Sequence, residues 1–546
     1  MIRLLLLSLV LLSTSLFSQK ETKKNGSISA ADEGKMVLAK QKRYAGEYAS
    51  ALATYKEVEK NSPENSTVKY YIAFCQVQLH QKPQAKAALL QALELNYELK
   101  PETHLLLAQL LQEEENFNLA LKHLNVYDSL CLVSNAEPES IAESKLCRSQ
   151  CLMGKTMMDQ ALNVTVTNVG PGINSKYDDK NPCISADGRK LVFTTRRPET
   201  TSSERDIEGD GGYYEDIYFS ALDTNSKGFT AAVPVAGSIN TKAHDACTSI
   251  SPDGKQIFIY KNDASKAESR GGNIFVSKIA GDKWKAPVTL GKPINSSYWE
   301  GGACVSADGK RYFFTSERKG GFGKSDIWMV EKKSKNEWGK PVNLGAEVNT
   351  EYDEAGMFLA PDGKTLFFCS NGPNSMGSYD VLKTTYENGK WTAPVNLGYP
   401  INTAAKEGQI TLSADARFAY VSSNRTGGFG ENDIYAIDLK DYAILEKDGK
   451  PKTNNGLSIL RGTIREGYEG YGMQDTEIKV TNLSNQEVST TITNENGEYF
   501  FTLKGGQYQL EITKKGYTPI SEKIELPLEA AETPIIEKGY LLKSSL

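Results

Sequence analysis

"SADGKRYFFTSERKGGFGKSDIWMVEKKSKNEWGKPVNLGAEVN" spans Ser306 to Asn349 and carries a turn, an apolar run, a glycine-rich loop, a second apolar run and an "LG…N" ending. The same order returns four more times. The turn reads SADG at Ser185, SPDG at Ser251, APDG at Ala360 and SADA at Ser413, so that Asp187, Asp253, Asp308, Asp362 and Asp415 stand 66, 55, 54 and 53 residues apart. Each turn is followed by an apolar strand (KLVFTT, QIFIYK, RYFFTS, TLFFCS, RFAYVS), a polar loop and a further strand such as DIYFSAL or DIYAIDL. A shared phrase then closes four of the units: VPVAGSIN, APVTLGKPIN, KPVNLGAEVN and APVNLGYPIN. Four short strands at a period near 54 predict a five-bladed β-propeller over residues 162–445. The fifth outer strand is missing after DIYAIDL, and "LNVTVTNVGPGIN" (Leu162 to Asn174) supplies it, closing the ring and removing the open sheet edge.

The Asp-Gly pairs suit tight hairpins, because glycine takes positive φ without cost. One aspartate per turn is too few oxygens for calcium. Asp216, Asp326, Asp380 and Asp433 open strands and are placed to accept from backbone N–H groups of the preceding loops. "GGFG" is a strand connector, since neither copy precedes a helix.

One face of the ring collects charge. The loops entering the innermost strands carry Asp178 and Asp179, Asp245, Glu300, Asp353 and Glu354, and Glu407. The loops between the second and third strands carry Arg196 and Arg197, Lys261, Arg318 and Arg425, whereas the fourth unit has only Asn371 and Asn374. Such alternation reads either as a network bracing neighbouring blades or as a partner-docking face. The first unit also carries a polar insertion, Pro198–Glu215, over the same mouth. Catalysis is not expected. Carboxylates for glycoside hydrolysis are a unique pair rather than one per repeat, no G-x-S-x-G elbow occurs, and His244 is the only histidine of this region. No cofactor or metal is expected, because the four histidines lack ligand spacing.

Residues 30–161 have helical periodicity, with Ala51, Ala85 and Ala120 at matching places 34 and 35 residues apart. Tyr55, Leu89 and Leu124 follow each by four, and Ala73 and Ala108 are the small residues of the intervening helices. All of these read as packing residues. Residues 456–546 alternate as short strands, with a hairpin at TNENGEYFF, and Tyr499, Phe501, Tyr508 and Leu510 read as core.

The chain begins MIRLLLLSLVLLSTSLFSQK, in which one basic residue, an apolar run and small residues predict a signal peptide over 1–18. No cysteine lies near the cleavage site, and no stretch is long enough to span a membrane, so an exported, unlipidated protein of the periplasm or the periplasmic face of the outer membrane is expected. A net charge of −5 gives no electrostatic case for nucleic acid. Eight cysteines in an exported chain raise the question of disulfides; Cys131 with Cys147 or Cys151 is the candidate pairing, and Cys183, Cys247, Cys304 and Cys369 fall in strands as small buried residues.

Three resemblances follow from these residues. The helical third, best in Gly46, Tyr48, Ala51, Tyr55 and Pro63, resembles the tetratricopeptide repeat. "SADGKRYFFTSERKGGFGKSDIW" resembles the TolB-type, WD40-like propeller repeat, and the fuller pattern resembles propellers of exported envelope proteins in gliding and type IX secreting bacteria. "GEYFFTLKGGQYQLEITKKGY" resembles the carboxypeptidase-regulatory, transthyretin-like β-sandwich. The OmpA-like domain that often follows in those envelope proteins is not expected here. The resemblance implies a multidomain α plus all-β, non-enzymatic scaffold that joins other envelope proteins, with a peptide segment as the occupant of the helical groove. The alternative is a carbohydrate- or metabolite-binding propeller with weak hydrolase activity. An aromatic-lined pocket at the mouth favours that alternative, and Trp299 is the only tryptophan in an entering loop.

Overall fold

The computed structural model describes residues 28–132, 137–198, 205–206, 211–223, 228–262, 271–280, 283–334, 337–446, 457–467, 470–528 and 534–545. The signal peptide expected at 1–18 and most of the Pro198–Glu215 insertion lie outside them. The chain divides into two compact units, Met1–Leu152 and Met153–Leu546. No described helix is long and apolar enough to cross a membrane.

The first unit is built of helices α1 (Ala30–Tyr44), α2 (Tyr48–Asn61), α3 (Ser66–Gln78), α4 (Lys82–Leu95), α5 (Pro101–Glu113) and α6 (Phe117–Cys131); α7 (Pro138–Asp159) begins in it. Ser29 and Asn65 cap α1 and α3, each side chain accepting from a backbone N–H three residues on. Ala51, Ala85 and Ala120 are fully buried, as are Tyr55, Leu89 and Leu124, so the repeated small and bulky positions form the contacts between helices. Gly46, His80 and Glu115 occupy the same turn in successive repeats, and all three have positive φ, at 79°, 57° and 58°.

All eight cysteines are free thiols, which corrects the candidate pairing of Cys131 with Cys147 or Cys151. Cys147 and Cys151 face inward, Cys147 donating to Gln112 Oε1 at 3.1 Å, whereas Cys131 is only half-buried at the end of α6.

The second unit opens with five antiparallel sheets. Sheet I is led by Asp179–Ile184, Lys190–Thr195 and Asp216–Asp223; sheet II by His244–Ile250, Gln256–Asn262 and Asn273–Ala280; sheet III by Glu300–Val305, Arg311–Ser316 and Asp326–Ser334. Sheet IV is led by Glu354–Leu359, Thr365–Ser370 and Asp380–Glu387, and sheet V by Glu407–Leu412, Phe418–Ser423 and Asp433–Asp438. In sheets I to IV two short outer strands pair with the third strand. In sheet V that place is taken by Thr165–Asn168 from the start of the unit, antiparallel to Asp433–Asp438. The first strands neighbour one another in cyclic order, that of sheet V lying beside that of sheet I. Apolar side chains between sheets, among them Phe258, Phe313, Phe314, Phe367 and Phe368, are fully buried.

The S-x-D-G turns all lie at one end of the strands. Ser185 Oγ donates to Asp187 Oδ1 at 2.6 Å and accepts from Lys190 N at 3.0 Å, and the Ser251, Ser306 and Ser413 turns repeat this pattern. A β-sandwich packs on that end. One of its sheets contains Leu457–Glu466, Glu498–Lys504, Ile535–Glu537 and Tyr540–Leu542; the other contains Val488–Ile492, Glu477–Asn482, Gly506–Thr513 and Ile520–Leu526. Tyr499, Phe501, Tyr508 and Leu510 are buried in its core, as the sequence predicts. Leu457 and Ile459 pack against Ala186 and Ala414 of two turns, flanked by the ion pairs Lys255–Glu498 at 2.5 Å and Lys364–Glu487 at 2.6 Å.

Candidate functional site

The end of the strands opposite the sandwich carries the charged loops. Five carboxylates, Asp179, Asp245, Glu300, Glu354 and Glu407, begin or nearly begin the first strands, and all are fully buried. Each accepts from the backbone N–H and the hydroxyl of the residue four before it: Ser175, Thr241, Ser296, Thr350 and Thr403. In four sheets a hydroxyl on the second strand adds another bond, from Thr195 at 2.5 Å, Ser316 at 2.8 Å, Ser370 at 3.1 Å and Ser423 at 2.8 Å. The cations follow the same logic. Arg197, Arg318 and Arg425 reach Asp179, Glu300 and Glu407 at 3.0, 3.2 and 3.1 Å, and Lys261 pairs with Asp245. Arg318 and Arg425 also donate to main-chain carbonyls, Pro293 and Ile294 in one case and Pro400 and Ile401 in the other.

The candidate residues thus separate into two groups. Asp179, Asp245, Glu300, Glu354 and Glu407, with Arg197, Arg318 and Arg425, are spent on internal hydrogen bonds, and Arg318 and Arg425 also reach the phrase that closes the preceding unit. Asp178, Arg196 and Asp353 lie outside that scheme: Asp178 is buried between Lys180 at 2.8 Å and Asn432, whereas the partly exposed Arg196 donates to Tyr213 O and Asp353 lies 3.8 Å from Lys324. In sheet IV the repeat position is Glu354, which has no arginine or lysine partner among the described residues. Burial therefore pushes its carboxyl up to about 7 despite the Thr350 and Ser370 hydrogen bonds. Burial likewise raises Asp179, Asp245 and Glu407, with Arg197, Lys261 and Arg425 opposing it.

Sequence reading overlooked the asparagine that ends each shared phrase. Asn240, Asn295, Asn349 and Asn402 each exchange two hydrogen bonds with the backbone of the third strand of the preceding sheet, at Ile217, Ile274, Ile327 and Val381. The signal was present as N-[ST]-x-x-x-[DE], repeated five times from Asn174 onward. The strand-opening aspartates behave as expected where their loops are described: Asp326 accepts from Phe322 N and Gly323 N, Asp380 from Met376 N, and Asp433 from Phe429 N and Gly430 N. The last glycine of GGFG has a further reason. A Cβ on Gly430 would lie 2.1 Å from Tyr177 O, and one on Gly323 2.3 Å from Thr350 O, so each loop seats directly on the next unit's entering loop. Phe322 and Phe429 of the same loops are about half exposed.

Within the mouth lies a cavity of about 430 Å³, lined by residues of all five first strands together with Glu215, Tyr260 and Trp299. Lys180 bridges Asp178 and Glu215, at 2.8 and 2.7 Å, and His244 bridges Glu215 and Asp206, both at 3.2 Å. Burial works against the charge on Glu215, yet Lys180 and His244 hold its carboxyl well below the usual range. Trp299 Nε1 donates to Tyr260 Oη at 3.3 Å. Among the described residues no group of His, Cys, Asp and Glu is placed to hold a metal ion.

Repeated helices, repeated sheets and a sandwich define a modular protein, and the comparisons with known proteins identify the two flanking modules. The model for the tetratricopeptide repeat matches residues 43–110, and that for the carboxypeptidase regulatory-like domain matches residues 459–536. Serine-aspartate repeat-containing protein C of Staphylococcus aureus is 28% identical over 162 residues in strain MRSA252, covering 26% of this chain and 17% of that protein. In strain Newman it is 25% identical over 157 residues, covering 28% and 15%. The chain thus spans less than a fifth of the length of these relatives. Among solved structures, the TPR2B domain:pHsp70 complex of yeast Sti1 is 18% identical, covering 23% of this chain and 98% of that one, with a TM-score of 0.21. A putative 6-phosphogluconolactonase from Bacteroides fragilis is 14% identical, covering 66% and 95%, with a TM-score of 0.26. An α-L-arabinofuranosidase from Lactobacillus brevis is 13% identical, covering 54% and 96%, with a TM-score of 0.32.

Proposed function

We propose that this protein is an exported, non-enzymatic scaffold that joins other proteins of the cell envelope, in a secretion or gliding assembly. In this reading the five sheets are the blades of a TolB-type propeller, closed by the N-terminal strand, between a helical-repeat module and a regulatory-like sandwich. The observation that carries the reading is the fate of the mouth's charged groups. Five buried carboxylates, four of them with a cation, are consumed in a repeated hydrogen-bond scheme, one per unit, which builds a rigid platform rather than a single acid–base pair set up for catalysis. What the platform offers outward is its rim, where Phe322 and Phe429 stand half exposed and Arg196 and Asp353 are partly exposed. Exposed aromatics with a polar surround are the composition of protein-binding surfaces. The helical repeats add a second surface for a peptide segment.

Envelope fractionation tests the placement: high-salt or urea washing is expected to release the protein from membranes, and extraction by detergent alone contradicts a peripheral periplasmic location. Co-purification tests the scaffold. Proteins captured by the wild-type chain should be lost from Phe322→Ala/Phe429→Ala while its melting temperature stays unchanged. Capture that is indifferent to both substitutions, and also to removal of the helical module, refutes the scaffold reading.

A further inference from the structure

The position before each carboxylate varies between units, and the one after it is small in all but the first. Immediately before the five buried carboxylates stand Asp178, His244, Trp299, Asp353 and Lys406; immediately after them stand Lys180, Ala246, Gly301, Ala355 and Gly408. The architecture demands sameness at the carboxylate, its hydroxyl partners and the asparagine, and those positions do repeat. Among the residues flanking the carboxylates, His244, Trp299, Lys406 and Lys180 differ in chemistry and line the axial cavity, which is where a ring of similar units must differ to recognise an asymmetric ligand.

The cavity's shape comes from the second set. Three of the five following positions, Ala246, Gly301 and Ala355, are small and line it, and Gly302 and Gly356 extend the small-residue wall, so about 430 Å³ stays unfilled. That lies within the range of small-molecule sites, about 300–1,000 Å³. Its chemistry comes from the first set. The Trp299 indole is fixed rather than loose: a Cβ on Gly301 would lie 1.9 Å from its ring and one on Gly272 2.8 Å from it, and its N–H is spent on Tyr260. A half-buried, immobilised indole presents a flat apolar surface. Around it stand the amide of Gln409, the exposed Lys406 and the Lys180–Glu215–His244 chain. Lys180 and His244 face Glu215, Asp178 and Asp206 and are held in that network, while Lys406 lies over the Tyr379 ring.

We propose that the axial cavity binds a neutral saccharide of one or two pyranose rings. The C–H face of a ring stacks on Trp299, and its hydroxyls exchange hydrogen bonds with Gln409, Lys406 and the Glu215–His244 side. Most of the charge in the wall is already paired within the Lys180–Glu215–His244 chain, and a single aromatic plane flanked by amide, carboxylate and ammonium groups suits a molecule with one apolar face and a hydroxyl rim. The inference stands on the cavity alone, so it holds or falls separately from the scaffold reading.

Saturation-transfer NMR on the mature full-length chain, with maltose, cellobiose, lactose and N,N′-diacetylchitobiose as probes and glucuronic acid as a charged comparison, tests it. At least one disaccharide should bind with a millimolar or tighter Kd, and Trp299→Ala should weaken it at least about tenfold. Should Trp299→Ala melt early, Gly301→Ala, which displaces the indole, and Lys406→Ala, on an exposed side chain, give the same reading in a folded protein. Absence of transfer to all four disaccharides overturns the proposal. So does binding that survives all three substitutions, or binding of glucuronic acid alone.

Discussion

Asn174 and Ile434, 260 residues apart, exchange two hydrogen bonds: Ile434 N donates to Asn174 Oδ1 at 2.8 Å, and Asn174 Nδ2 donates to Ile434 O at 2.9 Å. Asn349 makes the same pair with Ile327, only 22 residues away. The match extends along the segment. Asn168 donates to Asp433 as Asn343 does to Asp326, at 2.7 Å in both cases. Residues from the start of the second unit therefore complete the last sheet with the same bonds that local residues make in sheet III. If the two asparagines are equivalent, Asn174→Ala and Asn349→Ala should each lower stability by about 1–3 kcal/mol, the cost of leaving a buried donor and acceptor unpaired. Thermal melting compares them directly. An Asn174→Ala protein that melts like wild type beside a damaged Asn349→Ala protein means the N-terminal strand is a dispensable addition.

Much of this was legible in the sequence because the repeat fixes spacing, and spacing fixes strands and turns. The S-x-D-G turns, the buried alanines of the helices and the sandwich core all lie where pattern places them. The mouth was harder. A carboxylate in a loop reads as exposed, yet Asp245 and Glu300 are fully buried, because hydroxyl and backbone donors four residues earlier fold over them. Choosing between neighbouring acids needed the asparagine-anchored spacing that was overlooked: it puts Glu354, not Asp353, at the repeat position, where Glu354 accepts from Ser370. The cavity was invisible for another reason. It is made by missing side chains, and a glycine carries no sign of the space beside it.

His80 and Glu115 hold left-handed backbone where the first repeat has Gly46. That conformation costs an L-residue roughly 1–2 kcal/mol, offset in part by glycine's greater freedom in the unfolded chain. His80→Gly and Glu115→Gly should each stabilise the helical unit by up to about 1 kcal/mol, read as an increase in the denaturant midpoint at unchanged slope. A loss of stability in both would mean that their side chains matter more than the turn.

The sandwich is joined to the turn end of the sheets by apolar and charged contacts, which differ in weight. Ile459 is fully buried against Ala186 and Ala414, whereas Lys364 and Glu487 are half exposed. Ile459→Ala should cost about 2–4 kcal/mol through lost burial and the cavity it leaves. Lys364→Ala should cost less than about 1 kcal/mol. Limited proteolysis of the region before Leu457 reports the docking: faster cleavage in the lysine variant than in the isoleucine variant would reverse this ranking.

Glu354 gives the second unit a pH dependence of its own. Burial disfavours the anion and pushes its folded carboxyl up to about 7, from the 4.5 of an ordinary glutamate. Between these values the folded protein keeps a proton that the unfolded chain has released, so stability from this group falls as pH rises through the window. Above pH 7 the cost is complete, at most about 3 kcal/mol. Glu354→Gln removes the charge and keeps an oxygen to accept from Thr350. The variant should melt higher than wild type at pH 8, and the gap should close toward pH 5. Glu300→Gln is the counter-case, since it strands Arg318 and should destabilise at both pH values. Parallel melting curves for Glu354→Gln and wild type across that range would show that Glu354 is ionised in the folded protein and that a cation, rather than a proton, balances it.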